Sequence, residues 1–224
     1  MKKILLLICL INLSCSSTKI IKFTEKSDEI TTTNSLKSYL RANPNPKIVL
    51  RTSETAQKIT DNEQSDYLYN AIENELLKNG FIVRDRQLFN QIVTNNENNN
   101  NYINLKEKSD TDLIIELIKL DPSVAYTTNK YYDSNGKERT ESLTDRKKYG
   151  ATIEFKIIMI DSNEFAGIYK FNYTPCVEGC VVTGLKRYTR RELDNLSSYE
   201  GVEFDELEEF VKNATRKLVY EMRK

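Results

Sequence analysis

The chain has 224 residues, with 33 basic and 33 acidic side chains and no histidine, so its formal net charge is zero. This balance argues against a nucleic-acid-binding protein, because phosphate neutralisation needs a concentrated basic surface. The absence of histidine removes the commonest general base and a preferred zinc ligand. We therefore expect no metal site, no cofactor and no nucleic-acid partner. The length suits one domain of ordinary size with flanking tails.

The chain begins with the pattern of a secretory leader. Two lysines form a basic start, and an apolar run of eight residues spans 4–11. This run is too short to cross a bilayer as a helix, so it predicts a signal peptide over residues 1–14.

The end of this leader resembles the bacterial lipoprotein box. In such proteins the cysteine, here Cys15, receives diacylglycerol on its thiol and an acyl chain such as palmitate on its new amino group. Multiple acyl chains make membrane anchoring stable. The serine at position 16, where sorting signals place an aspartate, implies delivery to the outer membrane. An ordinary secretory signal cleaved nearby is the alternative.

Residues 15–45 are rich in serine, threonine, lysine and asparagine, and they predict a flexible tether. A coil of about thirty residues spans roughly 30 Å. The spacing within it also allows a short helix over 35–41. The folded domain is expected to occupy residues 46–224.

Residues 47–93 predict a unit of strand, helix, strand and helix. The strands are expected at 47–51 and 81–83, where β-favouring residues cluster. Apolar residues spaced three and four apart predict helices from Ser65 to Asn79 and from about 86 to 93, and Gly80 ends the first in a left-handed turn.

The segment 80–92 resembles the core of the curli secretion channel family and of the related lipoproteins that activate penicillin-binding proteins. In those families a glycine turn leads into a short strand, an acidic residue with arginine, and a helix of matching apolar spacing. Here the corresponding residues are Gly80, the strand at 81–83, Asp85 and Arg86. The resemblance implies a small periplasmic α/β domain and carries over no catalytic residue.

The remaining chain predicts more strands and a final helix. An asparagine-rich run at 95–101 is a solvated loop, and the apolar run at 112–120 is a central strand that Asp121-Pro122 should end. A ragged, exposed hairpin or a mobile loop is expected around the turn at 133–136, followed by antiparallel strands at 151–160 and 165–173. The fold class is α/β: one three-layer-like domain with a mixed sheet of about five strands, helices packed on it and a C-terminal helix.

The C-terminal helix is predicted over residues 204–222. Acidic residues at its start and basic residues near its end complement the helix dipole. We expect a packed terminal helix, with an acidic recognition helix as the alternative. Its buried stripe comprises Leu207, Phe210, Val211, Ala214, Leu218 and Met222.

Two local motifs invite a chemical interpretation. Cys176 and Cys180 flank a tight loop and predict a disulfide in an oxidising periplasm, with two free thiols as the main alternative. Arg84, Asp85 and Arg86 could position an anion. We favour a structural role instead, in which Asp85 caps the following helix.

Two functions fit these features. The first is a lipid-anchored binding module in envelope assembly that docks a protein partner, with its domain facing the periplasm. The second is a subunit of an oligomeric, curli-type outer-membrane pore, although eight charged residues within 137–148 disfavour a lipid-facing strand there. A homo-oligomer is compatible with both, and an enzyme is not expected because no catalytic motif is recognised.

Tyrosines are enriched at protein interfaces, and several occur in the region around the hairpin. Their other possible role is strand packing. The candidate partner-binding residues are Tyr126, Tyr131, Tyr132 and Tyr149.

Overall fold

The computed structural model describes residues 19–52, 63–94, 102–141, 146–182 and 201–224. The leader, Cys15 and the asparagine-rich run lie outside the described residues, so the lipidation and loop predictions there stay predictions. The chain forms two compact units, each built from separate segments. Among the described residues, the first unit comprises 19–25, 125–141, 146–148 and 174–182, and the second comprises 26–52, 63–94, 102–124, 149–173 and 201–224.

The described elements are mixed α and β. In chain order the strands are β1 (Lys19–Ile21), β2 (Glu29–Thr32), β3 (Lys47–Thr52), β4 (Ile82–Val83), β5 (Leu113–Thr128), β6 (Lys130–Tyr132), β7 (Glu138–Thr140), β8 (Arg146–Met159), β9 (Glu164–Tyr173) and β10 (Cys180–Val182). The helices are α1 (Asn34–Ala42), α2 (Glu63–Lys78), α3 (Arg86–Thr94), α4 (Tyr102–Ser109) and α5 (Phe204–Arg223).

The second unit is organised around a six-stranded mixed sheet in the order β2-β9-β8-β5-β3-β4. β3 is parallel to both β4 and β5, whereas β9 is antiparallel to β8 and to β2. The Ile160 amide donates to the Asp112 carbonyl at 3.0 Å, which joins the end of β8 to the start of β5. The predicted mixed α/β fold is confirmed, with one strand more than the expected five.

Helices cover both faces of this sheet, as a three-layer arrangement requires. The main core lies on one face, where α1, α2 and α5 pack against alternate residues of the strands, such as Leu50, Ile115 and Phe155. On the opposite face Phe89 of α3 packs in a smaller cluster with Val49, Ile114, Ile158 and Ile160. The alternation of β-strand side chains therefore supplies two apolar surfaces.

The predicted tether is wrong for residues 29–42. β2 pairs with β9 from Glu29↔Lys170 to Thr32↔Gly167, so this segment forms the edge of the main sheet. The following α1 confirms the short helix that the spacing allowed. Leu36 and Leu40 of α1 are both buried in the main core. Tyr39 of the same helix packs half-buried against this core, and the remaining, polar composition of the segment outweighs these side chains in the sequence.

The strand–helix–strand–helix prediction over 47–93 is confirmed by β3, α2, β4 and α3. Gly80 has a φ of +85°, the left-handed turn expected after α2. By contrast, Asp121-Pro122 does not end β5, which continues to Thr128. Proline lacks an amide donor but keeps its carbonyl, and the Pro122 carbonyl accepts a hydrogen bond from the Val202 amide at 2.9 Å.

The first unit contains a separate antiparallel sheet in the order β10-β1-β6-β7. The predicted hairpin is present as β6 and β7, and Gly136 in its turn has a φ of +73°. The Asp133 carboxylate accepts the backbone amides of Asn135 and Lys137, each at 3.0 Å. This second sheet was not expected, because its strands are only three residues long and come from distant segments.

Candidate docking groove

A groove of about 740 Å³ lies between the end of β9 and the first turns of α5, entirely within the second unit. Phe171 and Tyr173 line it from β9, and Phe210 lines it from α5. Strand alternation points Phe171 into the core and the helical stripe does the same for Phe210. The rings of Tyr173 and Phe210 lie 5.9 Å apart. The groove therefore has an aromatic floor.

One rim of the groove is acidic. Asp205, Glu206 and Glu209 lie on the first two turns of α5 and are exposed. The Tyr173 hydroxyl donates to Oε2 of Glu206 at 3.1 Å and holds that carboxylate against the groove wall. Burial, together with the charge of Glu206, raises the pKa of Tyr173 to about 12. Tyr173 therefore stays protonated, and remains a donor, at neutral pH.

A hydrogen-bonded network joins Asn172 and Lys217, two further residues that line the groove. Nζ of Lys217 lies 2.9 Å from Oδ2 of Asp28, and the backbone amide of Asn172 donates to Oδ1 of the same carboxylate at 2.9 Å. The side chain of Asn172 makes two further hydrogen bonds. Its Nδ2 donates to the Ser27 carbonyl at 2.8 Å, and its Oδ1 accepts from the Thr152 hydroxyl at 3.0 Å. These contacts fix α5, β9 and the segment before β2 to one another.

Arg216, the second basic residue lining the groove, is committed to a buried carboxylate. Its Nε donates to Oε2 of Glu75 on α2 at 2.9 Å, and Lys78 donates to Oε1 at 2.9 Å. Glu75 is only 3 % exposed. The hydrogen bond from Arg216 is the main cause that lowers the pKa of Glu75, and Lys78 adds to it. Both basic residues of the groove thus make their 2.9 Å contacts with carboxylates outside it, and Arg216 also pairs with Glu209 of the rim at 3.7 Å.

The four candidate partner-binding tyrosines are divided between the two units. Tyr126, Tyr131 and Tyr132 belong to the first unit and Tyr149 to the second. All four are half-buried.

Each of these tyrosines has a contact within its own unit. The Tyr126 hydroxyl lies 3.1 Å from Oγ1 of Thr174. Nζ of Lys19 lies 4.6 Å from the centre of the Tyr131 ring, and the Tyr132 hydroxyl donates to Glu138 at 3.3 Å. Tyr149 packs against the main core of the second unit. Their role in partner binding stays a prediction.

The Arg84-Asp85-Arg86 motif has the structural role that we favoured. Oδ1 of Asp85 accepts the Leu88 amide at 2.7 Å and so caps α3. Arg84 pairs with Asp110, whereas the Arg86 guanidinium lies 4.7 Å from the centre of the Tyr69 ring. The two guanidinium groups thus have different partners.

A disulfide joins Cys176 and Cys180 in the first unit, with their Cα atoms 5.1 Å apart, which confirms that prediction. Among the described residues, no group of three or more cysteine, aspartate or glutamate side chains is arranged to hold a metal ion. Within the same ranges, none of the helices combines the length and the apolar character needed to cross a membrane.

The sequence contains signals for the groove, but they do not identify it. The acidic start of α5 and its apolar stripe were both visible, and an acidic recognition helix was one interpretation of them. Tyr173 was the last residue of a predicted strand. The adjacency of this strand end and α5 depends on tertiary contacts such as Lys217 to Asp28, which are 189 residues apart.

No protein-family model and no curated protein matches this chain. Among solved structures, a PelC dodecamer from Paraburkholderia phytofirmans shares 9 % identity and a TM-score of 0.37, over 88 % of this chain and 96 % of that one. A PelC single-residue variant from the same organism, also a dodecamer, gives 9 % identity and 0.40, over 89 % of this chain and 100 % of that one. A PDZ domain protein from Parabacteroides distasonis gives 13 % identity and 0.36, over 92 % of this chain and 38 % of that one. Similarities at this level carry no argument about fold or function, and the curli-family resemblance stays a prediction.

Proposed function

We propose that the protein is a lipid-anchored binding module of the bacterial cell envelope, which docks a protein partner and catalyses no reaction. The observation that carries the proposal is the groove between β9 and α5, with its aromatic floor and exposed acidic rim. Aromatic side chains in a concave, partly desolvated site surrounded by polar residues are typical of protein-binding surfaces.

The leader supports the anchoring part of the proposal. A basic start, a short apolar run and Cys15 form the lipoprotein pattern, and the serine after Cys15 favours the outer membrane. Substitution of Cys15→Ser is expected to abolish labelling by radioactive palmitate and to release the protein from the membrane fraction. Unchanged labelling and unchanged membrane association would contradict this part of the proposal.

The docking part can be tested by crosslinking in living cells. A photo-crosslinking amino acid is placed at Asn213, an exposed residue that lines the groove, and in a control at Glu107, an exposed residue of α4 outside it. Captured proteins are identified by mass spectrometry of the envelope fraction.

We expect one envelope protein, such as a cell-wall synthase or another assembly component, to be captured from Asn213 and not from Glu107. Capture of identical proteins from both positions would contradict docking in the groove. Recovery of the chain's own multimers alone would favour an oligomeric scaffold or a pore over a binding module.

A further inference from the structure

We propose that the groove between β9 and α5 binds a peptide segment of the partner in which apolar side chains are flanked by lysine or arginine. The inference rests on the proposed docking function and adds the chemistry of the docked segment. It is carried by the charge distribution around the groove, by the aromatic floor and by the contacts that hold the walls in place.

The charges of the groove lining cancel only in part, because Arg216 pairs with Glu209 at 3.7 Å but holds its closer contact with Glu75. Three exposed carboxylates line it at the start of α5, and the basic residues Arg216 and Lys217 line it further along the same helix. Arg216 and Lys217 make their 2.9 Å contacts with Glu75 and Asp28, neither of which lines the groove. The acidic rim therefore presents negative charge that a cationic ligand can complement.

The acidic residues have few partners of their own among the described residues. Asp205 has no ion pair there, and Glu206 accepts a hydrogen bond from the neutral Tyr173 hydroxyl. Glu209 accepts from Nδ2 of Asn213 at 3.1 Å and lies 3.7 Å from Nη1 of Arg216. Lysine or arginine side chains of a ligand would find oxygen acceptors along two turns of helix, whereas a polyanion would be repelled.

The floor sets the second requirement. Tyr173 is half-buried and Phe210 is 9 % exposed, so their rings offer apolar surface without standing clear of the protein. The volume of about 740 Å³ lies in the range of pockets that enclose small-molecule ligands, so it leaves room for apolar side chains of a peptide. Apolar ligand side chains are expected to pack on these rings while the flanking cations reach the rim.

The walls are held in place before any ligand binds. Tyr173 fixes Glu206, and the Asp28 carboxylate ties Lys217 of α5 to Asn172 of β9. A preformed site lowers the ordering cost of association. Acidic residues at a helix start also stabilise the helix dipole, so the decisive experiment must measure binding and stability separately.

The test uses the full mature chain in detergent and fluorescein-labelled synthetic peptides, with binding followed by fluorescence anisotropy. The probe alternates lysine with phenylalanine. One control peptide replaces each lysine with glutamate, and another replaces each phenylalanine with serine. We expect both controls to bind at least about tenfold more weakly than the probe, and added salt to weaken probe binding because it screens exposed charges.

Matched protein variants assign the binding to the groove. Glu209→Lys is compared with Glu107→Lys on α4, which makes the same change in net charge away from the groove. A second variant, Asn213→Trp, obstructs the groove without changing charge. We expect Glu209→Lys and Asn213→Trp to weaken probe binding by about tenfold and Glu107→Lys to leave it unchanged, with all thermal melting curves close to wild type.

Equal binding of all three peptides, or equal effects of Glu209→Lys and Glu107→Lys, would overturn the inference. If Glu209→Lys alone proved unstable, Asn213→Trp would decide the result. Self-association that competes with the probe would identify a second copy of the chain as the occupant and would also overturn it. Capture of an envelope protein from Asn213 without probe binding would leave the docking function standing and reject only the peptide chemistry.

Discussion

The buried carboxylate of Glu75 gives the sharpest stability prediction. It is 3 % exposed on α2 and receives hydrogen bonds from Arg216 of α5 and from Lys78, both at 2.9 Å. Hydrogen bonds to charged groups contribute about 1.5–3 kcal/mol each. In Glu75→Ala, however, Arg216 is left with a side chain that is 48 % exposed and regains water. We therefore expect a loss of about 2 kcal/mol in the free energy of unfolding, less than the 3–5 kcal/mol of a stranded buried charge.

The loss should depend on pH with a defined sign. Because the cations lower the folded-state pKa of Glu75, ionised Glu75 stabilises the fold above the unfolded-state pKa of about 4.3. That stabilisation disappears as the pH falls through the lower, folded-state pKa. The difference between wild type and Glu75→Ala should thus be full at pH 7 and shrink at acidic pH.

The assay is urea unfolding followed by circular dichroism at pH 7 and at acidic pH, with Glu107→Ala on the exposed face of α4 as the matched control. Arg216→Met provides the reciprocal test. It leaves Glu75 buried with Lys78 alone and should destabilise more than Glu75→Ala at pH 7, with a smaller penalty where the carboxylate is protonated. A Glu75→Ala loss below about 0.5 kcal/mol, or a loss that is independent of pH, would refute the reasoning.

Substitutions at three further sites test other features of the fold. In Gly167→Ala the added Cβ would lie 2.8 Å from the Thr31 carbonyl and 2.9 Å from the Tyr169 ring, so we expect a loss of about 1–3 kcal/mol in urea unfolding. Wild-type stability would show that β2 and β9 separate without cost. Asp85→Ala removes the cap of α3 and should cost about 1 kcal/mol, whereas Asp85→Asn should retain most of the stability; equal losses in both would argue against capping. Joint replacement of Cys176 and Cys180 by serine should lower stability by about 2 kcal/mol through loop entropy, and reducing agent should have a similar effect on the wild type alone. A wild-type unfolding curve unchanged by reducing agent would contradict that expectation.

Elements with strong local periodicity were predictable from the sequence. The alternation of Ile153, Phe155 and Ile157 identified β8, and all six residues of the predicted C-terminal stripe are buried in α5. A helix or strand of this kind buries a continuous face, so its pattern is visible without knowledge of its partner. The glycine turn after α2 and the Asp85 cap were predictable for the same local reason.

Short elements whose pairing is distant were not predictable. β1 and β10 are three residues each and pair from Lys19↔Val182 to Ile21↔Cys180, so neither carries a period long enough to recognise. β2 lies at the edge of the sheet, paired only with β9, so its side chains are largely exposed and its sequence is polar. A polar segment of four residues gives no strand signal. The extent of β5 beyond Pro122 likewise depends on hydrogen bonds that the local sequence does not specify.

The groove shows the same division between local and tertiary information. The acidic start of α5 was evident from the sequence. Whether these charges stay available to a ligand depends on which carboxylates the basic residues of the same helix contact. Arg216 pairs with Glu75 and Lys217 with Asp28, and both contacts join segments more than 140 residues apart. The ion pairs that fix α5 against its neighbours thereby leave the first turns of the helix acidic. Stability and peptide binding should consequently depend on different carboxylates, with Glu75 governing unfolding and Glu209 governing the affinity for a cationic segment.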